Sequence, residues 1–275
     1  MKKPLFNKVA IVGVGLIGGS IGMAVKKRRL AKWVVGVARR AKTAKQAVAW
    51  KAVDVATLNL KEGVKGADLI VLCTPVSTIV RLLPQIRRFA PKGTLVLDVG
   101  SVKGEICRVG RKEFKNRFGG SHPMAGSHET GLENADPDLF EGETCFSTSF
   151  EPGVAAFWRR LGSKVISITP HEHDDWVAES SHLPHVLSFA LFHQFPIVKI
   201  AEANPSIRGL NRLSKSDPSL WADIALWNSR AVSISIRKFQ KSLSEFDRAL
   251  KTRDRAKLIR FIRDANRRTF RMGPK

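Results

Sequence analysis

The chain predicts an α/β architecture: a parallel sheet wrapped by helices over residues 1–168, then an all-helical domain over 169–275. Three observations predict it. Short β-branched runs alternate with amphipathic stretches in the first part, the pattern of strands joined by crossover helices. Two of those runs, at Asp68–Leu72 and Thr94–Asp98, read as continuous apolar strands covered on both faces. After Thr169 the texture changes to helical spacing with little strand signal.

In order, Val9–Val12 reads as the first strand, Ile17–Lys27 as the helix after it and Trp33–Val37 as the second strand. Val76–Phe89 and Lys103–Phe114 fit helices between the later strands. Glu143–Ser149 and Lys164–Ile168 read as strands flanking a helix at Gly153–Leu161. Beyond the boundary, His182–Phe195, Asp217–Ser244 and Arg253–Phe270 carry helical periodicity, and Ser216-Asp217-Pro218 reads as a helix start with Pro in the first turn.

A hydrophobic fraction of 43% in 275 residues places the chain among globular proteins. No apolar run approaches the roughly 18–20 residues that span a bilayer. The N-terminus passes straight into a strand and glycine loop, unlike a signal peptide. Cys73, Cys107 and Cys145 lack metal or redox spacing, which predicts a reducing, cytoplasmic compartment. Two features are unusual: a net charge of +23, from 47 basic against 24 acidic residues, and no Tyr. A positive field draws anionic substrates and phosphorylated cofactors, and nucleic acid without specificity; the plainer reading is a solvated surface. The chain is expected to lack an appended regulatory domain, since it ends at Lys275.

Gly13-Val14-Gly15-Leu16-Ile17-Gly18 follows a strand and opens a helix. The first glycine permits a tight turn, the second a close approach to a pyrophosphate, and the third close packing of helix on strand. Amides at the helix start then bind phosphate with help from the helix dipole. The pattern predicts a Rossmann-type dinucleotide site. NAD enzymes place an acid about 20 residues beyond the glycines, for the ribose hydroxyl. Here Ala38 stands there, followed by Arg39 and Arg40, which predicts a preference for NADP with NAD possible; the plainer alternative is a pair of solvated arginines. Thr74 and Pro75 end a later strand at the edge where the nicotinamide belongs. Ser101 follows the next strand equivalently, as a site residue or as a helix cap.

His122 sits in Gly119-Gly120-Ser121-His122-Pro123-Met124-Ala125-Gly126, read as a Gly- and Pro-framed loop. A His there can take the proton when an alcohol is oxidised. With the glycine loop, Asp98-Val99-Gly100-Ser101-Val102-Lys103, Glu172-His173-Asp174, Ser181-His182-Leu183-Pro184-His185 and Ser214-Lys215-Ser216-Asp217-Pro218-Ser219-Leu220-Trp221 in that order, the chain resembles the prephenate/arogenate (cyclohexadienyl) dehydrogenase family of tyrosine biosynthesis. The resemblance runs from about residue 8 to residue 250.

The resemblance implies oxidative decarboxylation of prephenate or arogenate, with hydride passing to the nicotinamide. It implies His122 as the base that polarises the hydroxyl, and Ser101 bonding that hydroxyl or helping to hold His122. His185 and Arg212 would hold carboxylates of the substrate, while Trp221 and Asp174 would shape or gate the pocket. It also implies a homodimer, to which apolar stripes on Ile224–Leu250 and Arg255–Arg268 could contribute. Two departures stand out. Glu129 follows His128 where relatives place a Glu directly after Ala125-Gly126-Ser127. Of the family's arginine-bearing run, only Arg212 in Ile207–Arg212 aligns plainly. Prephenate and arogenate stay equally open. No metal is expected, because His182 and His185 lack a further ligand set. The rivals are another Rossmann hydroxy-acid or imine oxidoreductase, which generally relies on a Lys of the second domain, and a non-catalytic NADP-binding or nucleic-acid-binding protein. For the latter, the basic residues are too dispersed to predict specific nucleic-acid binding.

Overall fold

This computed structural model describes residues 4–126, 131–149, 151–194 and 205–268. Strand β1 (Phe6–Val12) leads through α1 (Leu16–Lys27) to β2 (Ala31–Val37), then α2 (Ala41–Ala49), β3 (Val55–Thr57) and α3 (Leu60–Val64). Next come β4 (Leu69–Leu72), α4 (Val76–Phe89), β5 (Leu95–Asp98), α5 (Gly104–Phe114) and β6 (Phe118–Pro123). Strand β7 (Thr144–Ser147), α6 (Pro152–Arg160) and β8 (Lys164–Ser167) complete one eight-stranded sheet in the order β3-β2-β1-β4-β5-β6-β7-β8. All neighbouring pairs are parallel except β6 with β7.

Alternation along the central strands explains the two-sided core. Val9 and Ile11 of β1 join Leu69, Val71, Leu95 and Leu97 on one face. Ala10 and Val12 join Ile70, Leu72 and Val96 on the other. Side chains of a strand point to opposite faces at successive positions, so a strand covered twice must be apolar at every position. Each large aliphatic side chain so buried contributes about 1.5–3 kcal/mol.

Beyond Thr169, which caps the next helix through a reciprocal bond pair with Glu172, the described residues are helical. Helix α7 (Pro170–Val177) runs through a π-helical turn at Ala178–His182 into α8 (Leu183–Gln194). After residues outside the described set come α9 (Pro205–Ser214), α10 (Pro218–Trp227), α11 (Ser229–Lys251) and α12 (Arg255–Arg268). No described helix is long and apolar enough to cross a membrane.

Two expectations are corrected. The stretch read as a loop around His122 is strand β6, with Ser121, His122 and Pro123 paired to Ser147, Phe146 and Cys145. Its glycines pack closely instead of looping: a Cβ on Gly119 would lie 2.4 Å from Val154 Cγ2, and one on Gly120 2.4 Å from Thr148 Oγ1. The stretch read as helical over Asp217–Ser244 is two helices, broken at Asn228. The first of them starts where the sequence predicts: Asp217 caps it, accepting from the Leu220 amide at 2.7 Å. Helix α10 also docks on the sheet domain, where Ile224 is buried in the second core face and Asp223 accepts from the Ser77 amide at the start of α4.

Candidate active site

The order of strands reverses between β1 and β4, and open parallel sheets bind ligands beyond the carboxyl ends at such a point. The glycine loop occupies that edge. Gly13 has φ +97°, and a Cβ there would lie 2.6 Å from the Cys73 carbonyl and 2.8 Å from Thr74 Cγ2. A Cβ on Gly18 would fall 1.9 Å from the Gly13 carbonyl, so the first and third glycines are held by contact with the protein itself. Gly15 faces open space, with no atom within 4 Å of the place a Cβ would take. It caps α1 without a side-chain bond, and no acid occupies the first turn, so the amides around Leu16 and Ile17 present a positive terminus to the opening. This is a cradle that fits a pyrophosphate. Thr74 packs on Gly13 with its hydroxyl buried and unpaired, and Pro75 caps α4. At the end of β2, Ala38 is buried with its amide bonded to the Thr57 carbonyl at 3.0 Å. Arg39 and Arg40 beside it are exposed and, among the described residues, in no ion pair.

Further along the same edge, β6 carries His122 into a chain of hydrogen bonds. His122 Nδ1 lies 2.9 Å from His173 Nε2, and His173 Nδ1 lies 2.8 Å from Asp174 Oδ1. Asp174 also accepts the amides of Lys103 at 2.7 Å and Gly104 at 2.8 Å, closing the N-terminus of α5. Beneath His122, the wholly buried Lys103 pairs with the wholly buried Asp98 and donates to the Ser121 carbonyl at 2.7 Å. Asp98 in turn accepts from the amides of Gly100 and Ser121. The pair thereby ties the end of β5 to β6. Ser101 is half-buried just past β5, and the structure brings His173, not Ser101, to the Nδ1 side of His122.

Electrostatics follow from this packing. Burial, then the neighbouring His173, Lys103 and His182, hold His122 well below the ordinary imidazole value. Burial lowers His173 as well, against the pull of Asp174. For Asp174, burial works upward, but His173 and the two α5 amides outweigh it and hold the carboxyl below its usual range. A neutral His122 is the form that accepts protons.

The helical side supplies an aromatic wall. The π-helical turn sets His182 inward, where it is 2% exposed. Asn228 Nδ2 donates to the Asp174 carbonyl at 2.8 Å and to His182 Nδ1 at 3.2 Å. One turn on, His185 donates from Nδ1 to the Ser181 carbonyl at 2.9 Å and stacks on Trp221, ring centroids 3.7 Å apart. His182 and Phe189 meet Trp221 edge-on. Arg212 is exposed on α9, and its charge adds to burial in lowering His185. His185, Arg212 and Trp221 are therefore brought together. Asp174 is not with them, because its oxygens face α5 and His173. Glu129 lies outside the described residues. Among the described residues no group of three or more His, Cys, Asp or Glu is arranged to hold a metal ion.

The family model described as the prephenate dehydrogenase nucleotide-binding domain matches residues 21–167, and that of the prephenate dehydrogenase dimerization domain matches residues 169–264. The chain belongs to the prephenate dehydrogenase family. Prephenate dehydrogenase of Lactococcus lactis subsp. cremoris is 31% identical over 272 residues, which span 95% of this chain and 76% of that protein. The crystal structure of Aquifex aeolicus prephenate dehydrogenase, in complex with hydroxyphenyl propionate and NAD+, superposes with a TM-score of 0.86 at 26% identity, covering 94% of this chain and 96% of that one. That of Synechocystis arogenate dehydrogenase superposes with a TM-score of 0.79 at 29% identity, covering 94% and 97%. Membership in the prephenate dehydrogenase family makes this an NAD(P)-dependent dehydrogenase, and the rival hydroxy-acid and imine oxidoreductase readings give way.

Reading the sequence left roles for Asp98, Lys103, His173, His182 and Asn228 unassigned in this prephenate dehydrogenase homologue. A signal existed for all but Asn228, and His182 lay in the quoted Ser181–His185 segment. Asp98 and Lys103 bracket the turn after an apolar strand, where a buried Lys requires a paired acid. His173 adjoins Asp174 in a segment already singled out. Asn228 had no such signal, since its partners lie 46 and 54 positions away.

Proposed function

We propose that the chain oxidatively decarboxylates prephenate or arogenate, with His122 as the base and a nicotinamide dinucleotide as hydride acceptor. The observation that carries this reading is the environment of His122: a half-buried, neutral imidazole at the carboxyl edge of the sheet, with Nδ1 occupied by His173. Its Nε2 is left to meet the substrate hydroxyl. His122 takes the hydroxyl proton as hydride leaves the same ring carbon. The bond to the ring carboxylate then breaks, its electron pair enters the ring, and carbon dioxide departs. His122 returns its proton to the oxygen of the aromatic product, so no net proton is consumed. The nicotinamide, when bound, supplies the electron sink.

Ser101 would bond the same hydroxyl from the next strand end. His185 and Arg212 would hold the carboxylates of the substrate, Arg212 through its planar fork, against the face of Trp221. Glu129 would add charge to this pocket. Asp174 acts through His173 and not by contact with the substrate. Gly13, Gly15, Leu16, Ile17 and Gly18 would hold the pyrophosphate, with Thr74 and Pro75 toward the nicotinamide. Ala38, Arg39 and Arg40 support NADP over NAD, since nothing acidic there would repel a 2′-phosphate. Residues 1–168 and 169–275 would act as cofactor and substrate domains. Leu243, Leu250, Ile259 and Ile262, exposed on α11 and α12, support a homodimer through these helices.

A steady-state assay crossing prephenate and arogenate with NAD and NADP tests the proposal. Turnover of at least one cyclohexadienyl acid is expected, with higher kcat/KM for NADP. No turnover of either acid with either dinucleotide would defeat the reading, and equal efficiency with both dinucleotides would defeat only the cofactor preference.

A further inference from the structure

Resting on His122 as the base, we propose that His173 is a positioning residue that sets the tautomer of His122, and that Asp174 anchors it on the N-terminus of α5. The hydrogen-bond chain has a direction. Asp174, as a carboxylate, can only accept. It takes the amides of Lys103 and Gly104 and, at 2.8 Å, His173 Nδ1, so the His173 proton resides on Nδ1. A neutral His173 then offers a bare Nε2, and the 2.9 Å contact requires His122 Nδ1 to donate. The lone pair of His122 is left on Nε2, the nitrogen that no described residue occupies.

The opposite arrangement would need His173 to be doubly protonated, with His122 accepting at Nδ1 and carrying its proton on Nε2. His122 would then be useless as a base. The surroundings disfavour that state. His173 is wholly buried, Phe146 closes one side at a centroid distance of 5.7 Å, and burial together with the Lys103 ammonium outweighs the pull of Asp174 and Asp98 toward a cation. The charged and titratable groups acting on His122 itself are His173, Lys103 and His182, and none is an acid that would favour the cation.

The backbone explains how His173 is held. Asp174 is fixed by two amides of α5 and, through its own carbonyl, by Asn228 at the break between α10 and α11. A ring clamped from a helix terminus keeps both its rotation and its tautomer. A serine protease triad uses a buried carboxylate in this way for its histidine, where loss of the correct tautomer costs orders of magnitude in turnover.

The test uses the full chain labelled with nitrogen-15 at histidine, with His173→Phe removing the acceptor and His173→Gln placing an amide oxygen near the former Nε2. Nitrogen–proton correlation spectra of the unmutated protein are expected to show His122 protonated at Nδ1 and bare at Nε2. His173→Phe should mix the two tautomers and lower kcat by at least about tenfold, with little change in KM for the dinucleotide. His173→Gln should recover most of the loss. A proton on Nε2 in the unmutated protein would overturn the proposal, as would unaltered kcat in His173→Phe. Should His173→Phe fail to fold, the spectrum of the unmutated protein decides alone. His122→Asn separates the two levels: its full activity would remove the base, whereas an inactive His122→Asn beside a fully active His173→Phe would remove only the positioning role.

Discussion

The cofactor edge and the base site lie on one sheet but are built by different means. Residues 12–18 make the cradle almost alone: three glycines, a helix start and a strand end within one short segment, with Cys73 and Thr74 as its distant floor. The base site draws on Asp98, Lys103, His122, His173, Asp174, His182 and Asn228, from strand ends and helices spread along much of the chain. Backbone shape carries the first; buried polar side chains carry the second. A local device tolerates change around it, whereas a buried polar network fails when any one member loses its partner.

The largest expected difference between the regions is in stability. Lys103→Met leaves Asp98 buried beside two amides but without its cation, and removal of one partner from a buried pair costs about 3–5 kcal/mol. Chemical denaturation should register that loss, and an unchanged midpoint would show that the network does not brace the base site. Gly15→Ala sharpens the contrast from the other side. Its Cβ would meet nothing in the protein, so the melting temperature should hold. It would intrude on the pyrophosphate, and titration should show dinucleotide affinity weakened about tenfold or more, near ~1.4 kcal/mol. Unaltered affinity would move the cofactor off this loop.

The third contrast is in pH. Burial first, and then its histidine neighbours against the pull of Asp174, bring His182 down from 6.5 to about 4, and His122 and His173 shift the same way. These rings are neutral when folded and protonate near 6.5 when unfolded. Stability should be full above about pH 6.5 and fall progressively toward about pH 4, as the unfolded chain binds protons that the folded one refuses. For the same reason kcat/KM should stay level down through about pH 6.5 and decline only below it. An acid limb centred at or above about 6.5 would mean that His122 is not the desolvated, half-buried imidazole described.

The same division explains what is legible in the chain. Leu69–Leu72 and Leu95–Asp98 are legible because burial on both faces leaves an unbroken apolar run. The glycine loop is legible because its constraints are steric and local. Strand β6 is not, because Gly119, Gly120 and Pro123 mimic a turn, although these glycines exist to let Val154 and Thr148 approach. The break at Asn228 carries no Gly or Pro signal; it serves an amide that must reach Asp174 and His182 at once. His122 stands out by its type and neighbours, while its partners His173 and Lys103 become visible only when the fold brings them together.

The most direct measurement is the rate of hydride transfer in a single turnover, with dinucleotide and cyclohexadienyl acid saturating, in the unmutated protein and in His122→Asn. Loss of a general base at this step should slow the transfer about 10²- to 10⁴-fold while dinucleotide affinity is kept. Transfer at the original rate in His122→Asn would contradict a catalytic role for this imidazole.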